Sequence, residues 1–242
     1  MFDHITIRVG DLAEARSFYG LAMSTLGFGE PETDGHFFEW WDFSISTARE
    51  DRPATRNLHV AFVAPSRKKV DEWWHVLTSA GYRDGGAPGP RPESHSAYYG
   101  AFVLDPDGNS VEAVWHGRRV KGENRVDHLW IRVADLDASR RFYQTIATVV
   151  GSRVEPPKEG RFHVIGGRRS FALVRGDPVT ENVHIAFPAR DNDQVDEFHR
   201  AALAAGYRDN GAPGERGYHP GYYGAFVLDA DGHNIEAVCH NR

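Results

Sequence analysis

The chain opens with apolar and polar residues in alternation, Ile5-Thr6-Ile7-Arg8-Val9, the period-two signature of a strand with one buried face. The period then lengthens. Asp11 with Glu14 three residues on has capping-box spacing, and Leu12, Ala15, Phe18, Tyr19, Ala22 and Leu26 make one helical stripe that Gly27 ends. Strand-like residues follow at 37–41 and 43–47. The pattern restarts at 58–63 with a strand, then a helix marked by Val70, Trp73, Trp74 and Leu77 and stopped at Gly81. Two further strands, 98–104 and 110–115, flank Asp105-Pro106-Asp107-Gly108, whose proline and glycine suit a tight hairpin. This stretch is read as strand–helix–three strands, twice over, with two of the three closing strands marked by pattern in each pass.

The rhythm is then repeated. Tyr98-Tyr99-Gly100-Ala101-Phe102-Val103-Leu104-Asp105 recurs unchanged from Tyr222 to Asp229, an offset of 124. Asp3-His4 recurs as Asp127-His128 and Phe18-Tyr19 as Phe142-Tyr143, while Asn57-Leu58-His59-Val60-Ala61-Phe62 recurs as Asn182-Val183-His184-Ile185-Ala186-Phe187. Asp191 and Gln194 cap a second-half helix carrying Val195 and Phe198, and Asp229-Ala230-Asp231-Gly232 repeats the hairpin turn. Two homologous domains follow, 1–117 and 126–242, joined by the polar stretch from Gly117 to Arg125.

Composition narrows the partners. The 242 residues are 40% hydrophobic and 12% aromatic, enough apolar mass for a folded core. Net charge is −6, and the densest basic cluster, Arg118, Arg119 and Lys121, lies in the joining stretch, so neither nucleic acid nor an acidic membrane surface is an expected partner. The single Cys239 excludes an intrachain disulfide framework. With no signal peptide and no apolar run near 18 residues, a soluble protein of a reducing compartment is expected, that is, a cytoplasmic one. Oligomeric state stays open, a homodimer included.

The chemistry-bearing residues lie on strands. His4, Thr6 and Arg8 share the face opposite Ile5, Ile7 and Val9; His59 and Glu112 likewise alternate with apolar neighbours. If the sheets curve into a cup, His4, His59 and Glu112 are candidates to converge, and His128, His184 and Glu236 stand at matching places. A glutamate between apolar strand neighbours is costly to bury without a cation. Two imidazoles and one carboxylate form a facial triad that leaves coordination positions free, and such donors accept Fe2+, Mn2+, Ni2+, Co2+ or Zn2+. His95 and His219, 124 apart, are candidate general acids or bases ahead of Tyr98 and Tyr222, against the plainer reading of loop decoration and sheet anchors. His116 and His240 also match across the halves and are expected to be solvated strand ends.

These residues resemble the vicinal-oxygen-chelate superfamily, which includes glyoxalase I, extradiol dioxygenases, fosfomycin-resistance transferases, methylmalonyl-CoA epimerase and bleomycin-binding proteins. The likeness rests on Asp3 to Val9, on His59-Val60-Ala61-Phe62, on Tyr98 through Val114, and on their second-half counterparts. It implies an α+β fold of four βαβββ modules in two glyoxalase/dioxygenase-like domains with cupped mixed sheets. It also implies divalent-metal ligands at His4, His59 and Glu112 and at His128, His184 and Glu236. In some relatives the first histidine is exchanged, so His4 joining His184 and Glu236, and His128 joining His59 and Glu112, is an equally open pairing. The expected activity is a metal-dependent enzyme acting on a small substrate that chelates through adjacent oxygens, with a bleomycin-resistance-type drug binder as the alternative. Two departures bear on the reaction. The strands resembling those that give glyoxalase I its extra carboxylate read Phe43-Ser44-Ile45-Ser46-Thr47 and Phe171-Ala172-Leu173-Val174, without an acid; the tyrosine usual in extradiol dioxygenases is replaced by Phe102 and Phe226.

Overall fold

The computed structural model describes residues 1–92, 94–118, 125–167 and 169–241. The central part of the joining stretch, with Arg119 and Lys121, lies outside the described residues.

Four modules follow one another along the chain. The first is β1 (Ile5–Val9), α1 (Leu12–Leu26), β2 (Glu32–Thr33), β3 (Phe37–Trp40) and β4 (Phe43–Thr47); the second is β5 (His59–Val63), α2 (Arg67–Ser79), β6 (Asp84–Pro90), β7 (Tyr99–Leu104) and β8 (Ser110–Trp115). The third is β9 (Val126–Val133), α3 (Leu136–Ala147), β10 (Arg153–Val154), β11 (Arg161–Gly166) and β12 (Arg169–Arg175); the fourth is β13 (His184–Pro188), α4 (Asn192–Ala204), β14 (Arg208–Glu215), β15 (Tyr223–Leu228) and β16 (Asn234–Cys239). This is an α+β fold of mixed sheets, each module a βαβββ.

The helices begin and end where side chains satisfy their terminal backbone groups. Asp11 accepts from the amides of Ala13 and Glu14 at the start of α1, and Gly27, at φ 82°, closes it in the left-handed conformation that costs glycine little. Asp135, Ser66 and Asp191 cap the other three helices in the same manner. The inward stripe of α1 is Ala15, Phe18, Tyr19, Ala22, Met23 and Leu26. Leu12, expected on that stripe, is only half-buried.

By compactness the chain forms two units, one of residues Ile7–Leu129 and one of Met1–Thr6 with Trp130–Arg242. In the first, strands run β9–β5–β8–β7–β6 and β1–β4–β3–β2; β5 and β8 are parallel and the β3–β4 and β7–β8 hairpins antiparallel. Its helices pack on each other, with α2 over β7 and β8. Phe18, Tyr19, Phe43, Phe62 and Trp73 are fully buried there. The Tyr19 hydroxyl donates to Asp105 (2.9 Å), which also accepts from Asn109 and so anchors the β7–β8 turn to α1. In the second unit the opening residues of β1 lie antiparallel beside β13, in the order β1–β13–β16–β15–β14, with Ile5 opposite Ile185 and Thr6 opposite His184. Strands β9–β12–β11–β10 complete it, and Phe142, Phe171, Phe187 and Phe198 fill its core.

Strands β6 and β14 were invisible to periodicity because they read Gly-Gly-Ala-Pro-Gly and Asn-Gly-Ala-Pro-Gly. They are bulged edge strands, where proline is tolerated and glycine permits close approach. A Cβ on Gly86 (φ 156°) would lie 3.0 Å from the Phe102 ring, and on Gly211 2.9 Å from Phe226.

Candidate metal centre

Within each unit the sheet register assembles a triad. In the first, the parallel β5–β8 pairing sets Ala61 opposite Glu112 and His59 opposite Ser110, so His59 and Glu112 are diagonal neighbours on one face. His128, on the adjacent β9, completes the group. His59 Nε2 stands 3.1 Å and His128 Nε2 3.6 Å from the same Glu112 oxygen, Oε2. In the second, β13 and β16 pair in the same register and the residue just before β1 is His4. His184 Nε2 is 3.1 Å and His4 Nε2 3.7 Å from Glu236 Oε2, and the two imidazole nitrogens are 3.2 Å apart. The six residues singled out in the sequence thus gather in two groups, His4–His184–Glu236 and His128–His59–Glu112. The exchanged arrangement is the one adopted.

These atoms suit a cation. Donors bound at about 2.1 Å to one first-row ion lie roughly 3.0–3.4 Å from each other, close to the separations found. Both glutamates are 1% exposed, whereas the imidazoles keep 9–19% of their side-chain surface, so each group is buried at its carboxylate and reachable at its rings. A single proton shared between a ring and the carboxylate satisfies one of these contacts; a divalent ion would satisfy all three.

The surrounding residues fix the donors. The other carboxylate oxygen, Oε1, accepts from a buried tyrosine in both units: Tyr98 to Glu112 (2.8 Å) and Tyr222 to Glu236 (2.7 Å). Burial first, then the charge of the adjoining glutamate, pushes both phenols far above their ordinary pKa, so they are standing donors to the carboxylates. Gly100 and Gly224 open the space that Oε1 occupies: a Cβ there would lie 2.3 Å from Glu112 Oε1 and 2.6 Å from Glu236 Oε1. His59 Nδ1 meets Ser110 Oγ (3.0 Å), and His184 Nδ1 lies against the carbonyl of Asn234 (3.1 Å). The Phe102 and Phe226 rings tilt beside His59 and His184, and the Arg91 and Arg216 guanidinium groups lie over the same two rings at 5.4 and 5.1 Å.

His95 and His219 lie outside the triads. Each is the outer member of a hydrogen-bonded chain, His95–His116–Asp127–His128 and His219–His240–Asp3–His4. The imidazole–imidazole links are 2.8 Å in both. His116 Nε2 is 3.0 Å from both oxygens of Asp127, and His240 Nε2 2.9 Å from Asp3. Asp127 and Asp3 in turn take the Nδ1–H of His128 (2.8 Å) and His4 (2.9 Å). His116 and His240 are therefore partly buried links, not solvated strand ends as their position beside the domain boundary suggested. Burial works to raise both aspartates, but the hydrogen bonds and charges of their histidines hold them below the usual carboxylate range, so they remain anions. The outer ends differ: the Ala97 amide donates to His95 Nδ1 (3.2 Å), while His219 Nδ1 donates to the Pro220 carbonyl (2.8 Å).

The model of the Glyoxalase/Bleomycin resistance protein/Dioxygenase superfamily matches residues 1–113 and again 125–237. The chain belongs to that superfamily, as a tandem member. The uncharacterized protein YqjT of Bacillus subtilis (strain 168) is 30% identical over 122 residues, 46% of this chain and 95% of that protein. Among solved structures, glyoxalase I from Zea mays matches 99% of this chain and 92% of its own at 18% identity, with a TM-score of 0.67. A putative dioxygenase from Bacillus subtilis subsp. subtilis str. 168 matches 100% and 85% at 13% identity, with a TM-score of 0.65. At such identities the likeness shows the fold alone. Among the described residues, no helix is long and apolar enough to cross a membrane.

Proposed function

We propose that this protein is a metal-dependent enzyme for a small substrate that chelates through two adjacent oxygens, with ring-cleaving dioxygenase chemistry as its reaction class. The observation behind the reading is the convergence, in both units, of two Nε2 atoms and one carboxylate oxygen at the spacing of donors to one ion. When bound, a divalent metal supplies the Lewis acid toward which a diol or keto-enol directs both oxygens.

The residues themselves divide the work. Glu112 and Glu236 bring negative charge into a buried position, and Tyr98 and Tyr222 hold those carboxylates in one rotamer by donating to Oε1. Asp127 and Asp3 keep the Nδ1–H tautomer on His128 and His4, leaving Nε2 as the coordinating nitrogen. Phe102 and Phe226 put an aromatic wall beside the second imidazole, suited to a planar ring.

The donor count favours the dioxygenase reading over isomerisation of a hemithioacetal. Three donors leave room for two substrate oxygens and one further small ligand, as in iron(II) oxygenases with a two-histidine, one-carboxylate triad. Strand β4 and the 171–174 segment of β12 offer no additional acid to carry a proton.

The test is reconstitution under anaerobic conditions with Fe2+, Mn2+, Ni2+, Co2+ or Zn2+ in turn, followed by a catechol panel read as oxygen uptake and a hemithioacetal panel read as thioester formation. Uptake with catechols, abolished in the Glu112→Ala/Glu236→Ala double variant, is the expected result. Thioester formation without oxygen uptake would reassign the reaction; stoichiometric binding of a planar drug to metal-stripped protein, with no turnover in either panel, would make it a binding protein.

A further inference from the structure

We propose that His116 and His240 are positioning residues for the two centres, each acting through an aspartate on the imidazole that opens its unit's triad. The inference rests on the metal reading above and assigns a role to four histidines outside the coordinating set.

The donor directions in the first unit can be followed from a fixed point. The Ala97 backbone N–H can only donate, so His95 Nδ1 accepts from it and His95 carries its proton on Nε2. That proton goes to His116 Nδ1, which leaves the His116 proton on Nε2, facing both oxygens of Asp127. Asp127 thus accepts from His116 on one side and from His128 Nδ1–H on the other. His128 is left with an Nε2 lone pair aimed at the Glu112 carboxylate region. A backbone amide at the surface therefore sets the tautomers of His95 and His116, and the Asp127 carboxylate they brace, an acceptor toward both rings, fixes Nδ1–H on His128. Neutral rings satisfy every link.

Geometry argues that this is more than surface packing. A carboxylate held by one donor can swing about its Cβ–Cγ bond; one that accepts from two separate rings is held against that rotation. The His95 and His116 rings are stacked at 5.1 Å and 24°, and Tyr98, which holds Glu112, meets His116 edge-on at 5.2 Å. His116 therefore braces both the aspartate behind His128 and the tyrosine behind Glu112. In the second unit His240 repeats the ring contacts, stacked on His219 at 5.0 Å and edge-on to Tyr222 at 5.3 Å, but there the Pro220 carbonyl takes the His219 Nδ1–H, so His240 donates to Asp3 only when one of the two rings carries a second proton. Outer partners of this kind typically contribute 10- to 100-fold in metal affinity.

The experiment uses the full chain with Glu236→Ala, which leaves the first unit's centre alone to be read by Co2+ titration and its visible absorption spectrum. In that background His116→Leu removes the donor while filling space, whereas His116→Gln places an amide N–H where Nε2 stood. The proposal requires His116→Leu to weaken Co2+ binding by 10- to 100-fold with an altered absorption band, and His116→Gln to restore both to within a few-fold. Unchanged binding in His116→Leu, or equal weakening by leucine and glutamine, would overturn it. Should His116→Leu not fold, His95→Ala at the exposed end must weaken the same site several-fold, and no change there would be equally fatal. The metal reading has its own control. Glu236→Ala should bind one Co2+ and Glu112→Ala/Glu236→Ala none, and a double variant that still binds would remove the centre, and the proposal with it.

Discussion

Gly100→Ala tests the centre through a residue that offers no donor atom at all. The added Cβ would stand 2.3 Å from Glu112 Oε1 and 3.3 Å from both Glu112 Cδ and Tyr98 Cε1, where real Cβ contacts essentially never fall below 3.0 Å. The carboxylate must retreat by about 0.7 Å. Metal–ligand distances tolerate roughly ±0.2 Å, and the oxygen being displaced is the one Tyr98 holds at 2.8 Å, so the ligand and its support move together. The corresponding clash at Gly224 is milder, 2.6 Å, asking for a shift of about 0.4 Å. Overpacking a strand interior also costs roughly 1–3 kcal/mol. Metal content after dialysis and affinity by isothermal titration should therefore fall at one centre only, by about 100-fold or more in Gly100→Ala and by less in Gly224→Ala, following the order of the two clashes. Two sites of undiminished affinity in Gly100→Ala would show that Glu112 is no ligand.

Tyr98→Phe removes a charge-assisted hydrogen bond to a carboxylate 1% exposed, so a loss of about 1.5–3 kcal/mol in metal-free stability is expected in denaturant titrations. Gly20→Ala, in the middle of α1 with nothing within 4 Å of the added carbon, should instead stabilise by about 0.5–1 kcal/mol and leave metal content unchanged. Stripping metal with a chelator should lower the thermal midpoint, since an ion at 100 times its Kd adds about 2.7 kcal/mol per site. Burial opposes the charge on His128, yet its hydrogen bond to Asp127 and the charges of Glu112 and Asp127 outweigh it and raise its pKa above the ordinary value. Below that raised pKa a proton occupies the nitrogen the metal needs, so affinity at the first unit's centre should fall as pH drops below it, by about tenfold per pH unit for one displaced proton; affinity that stays flat on acidification down to the ordinary imidazole value of 6.5 would contradict this.

What the sequence disclosed was what periodicity and repetition encode. The alternation of Ile5, Ile7 and Val9 fixes which way His4 faces, and all three are buried while His4, on the opposite side, keeps part of its ring exposed. The capped helices and the β7–β8 and β15–β16 hairpins followed from local spacing for the same reason: each is decided within a few residues. Strands β6 and β14 were hidden because an edge strand that must skirt a phenylalanine is written in glycine and proline, the residues that normally argue against a strand. The aspartates beside His4 and His128 stood in the repeated Asp-His pair, but a preceding residue on a strand points to the other face, and nothing local says that this carboxylate turns back to the ring beside it.

The exchange of histidines between modules shows where local reasoning stops. His4 lies 55 residues before His59 and His128 lies 56 before His184, so chain spacing treats within-half and exchanged triads alike. The decision belongs to strand neighbours. Asp3 N–H donates to the Ala186 carbonyl (2.8 Å) and Ala186 N–H to the His4 carbonyl (2.9 Å), which zips the chain's first residues onto β13 and brings His4 to His184 and not to His59. Phe2 adds to the preference by packing against Phe171 (5.5 Å) and Phe187 (6.4 Å) in the second unit's core. The start of the chain is therefore held by the apolar residue before the ligand, which makes metal binding and terminal packing one event. Phe2→Ala, a change at a side chain with no donor atom, should cost about 3–5 kcal/mol of the second unit's stability. Because it loosens the strand that carries His4, it should also weaken the His4–His184–Glu236 centre while leaving His128–His59–Glu112 intact. Selective retention of one metal equivalent in that variant, assigned by combining it with Glu112→Ala, is the expected result; equal loss at both centres would mean that the amino-terminal strand does not govern which histidine serves which site.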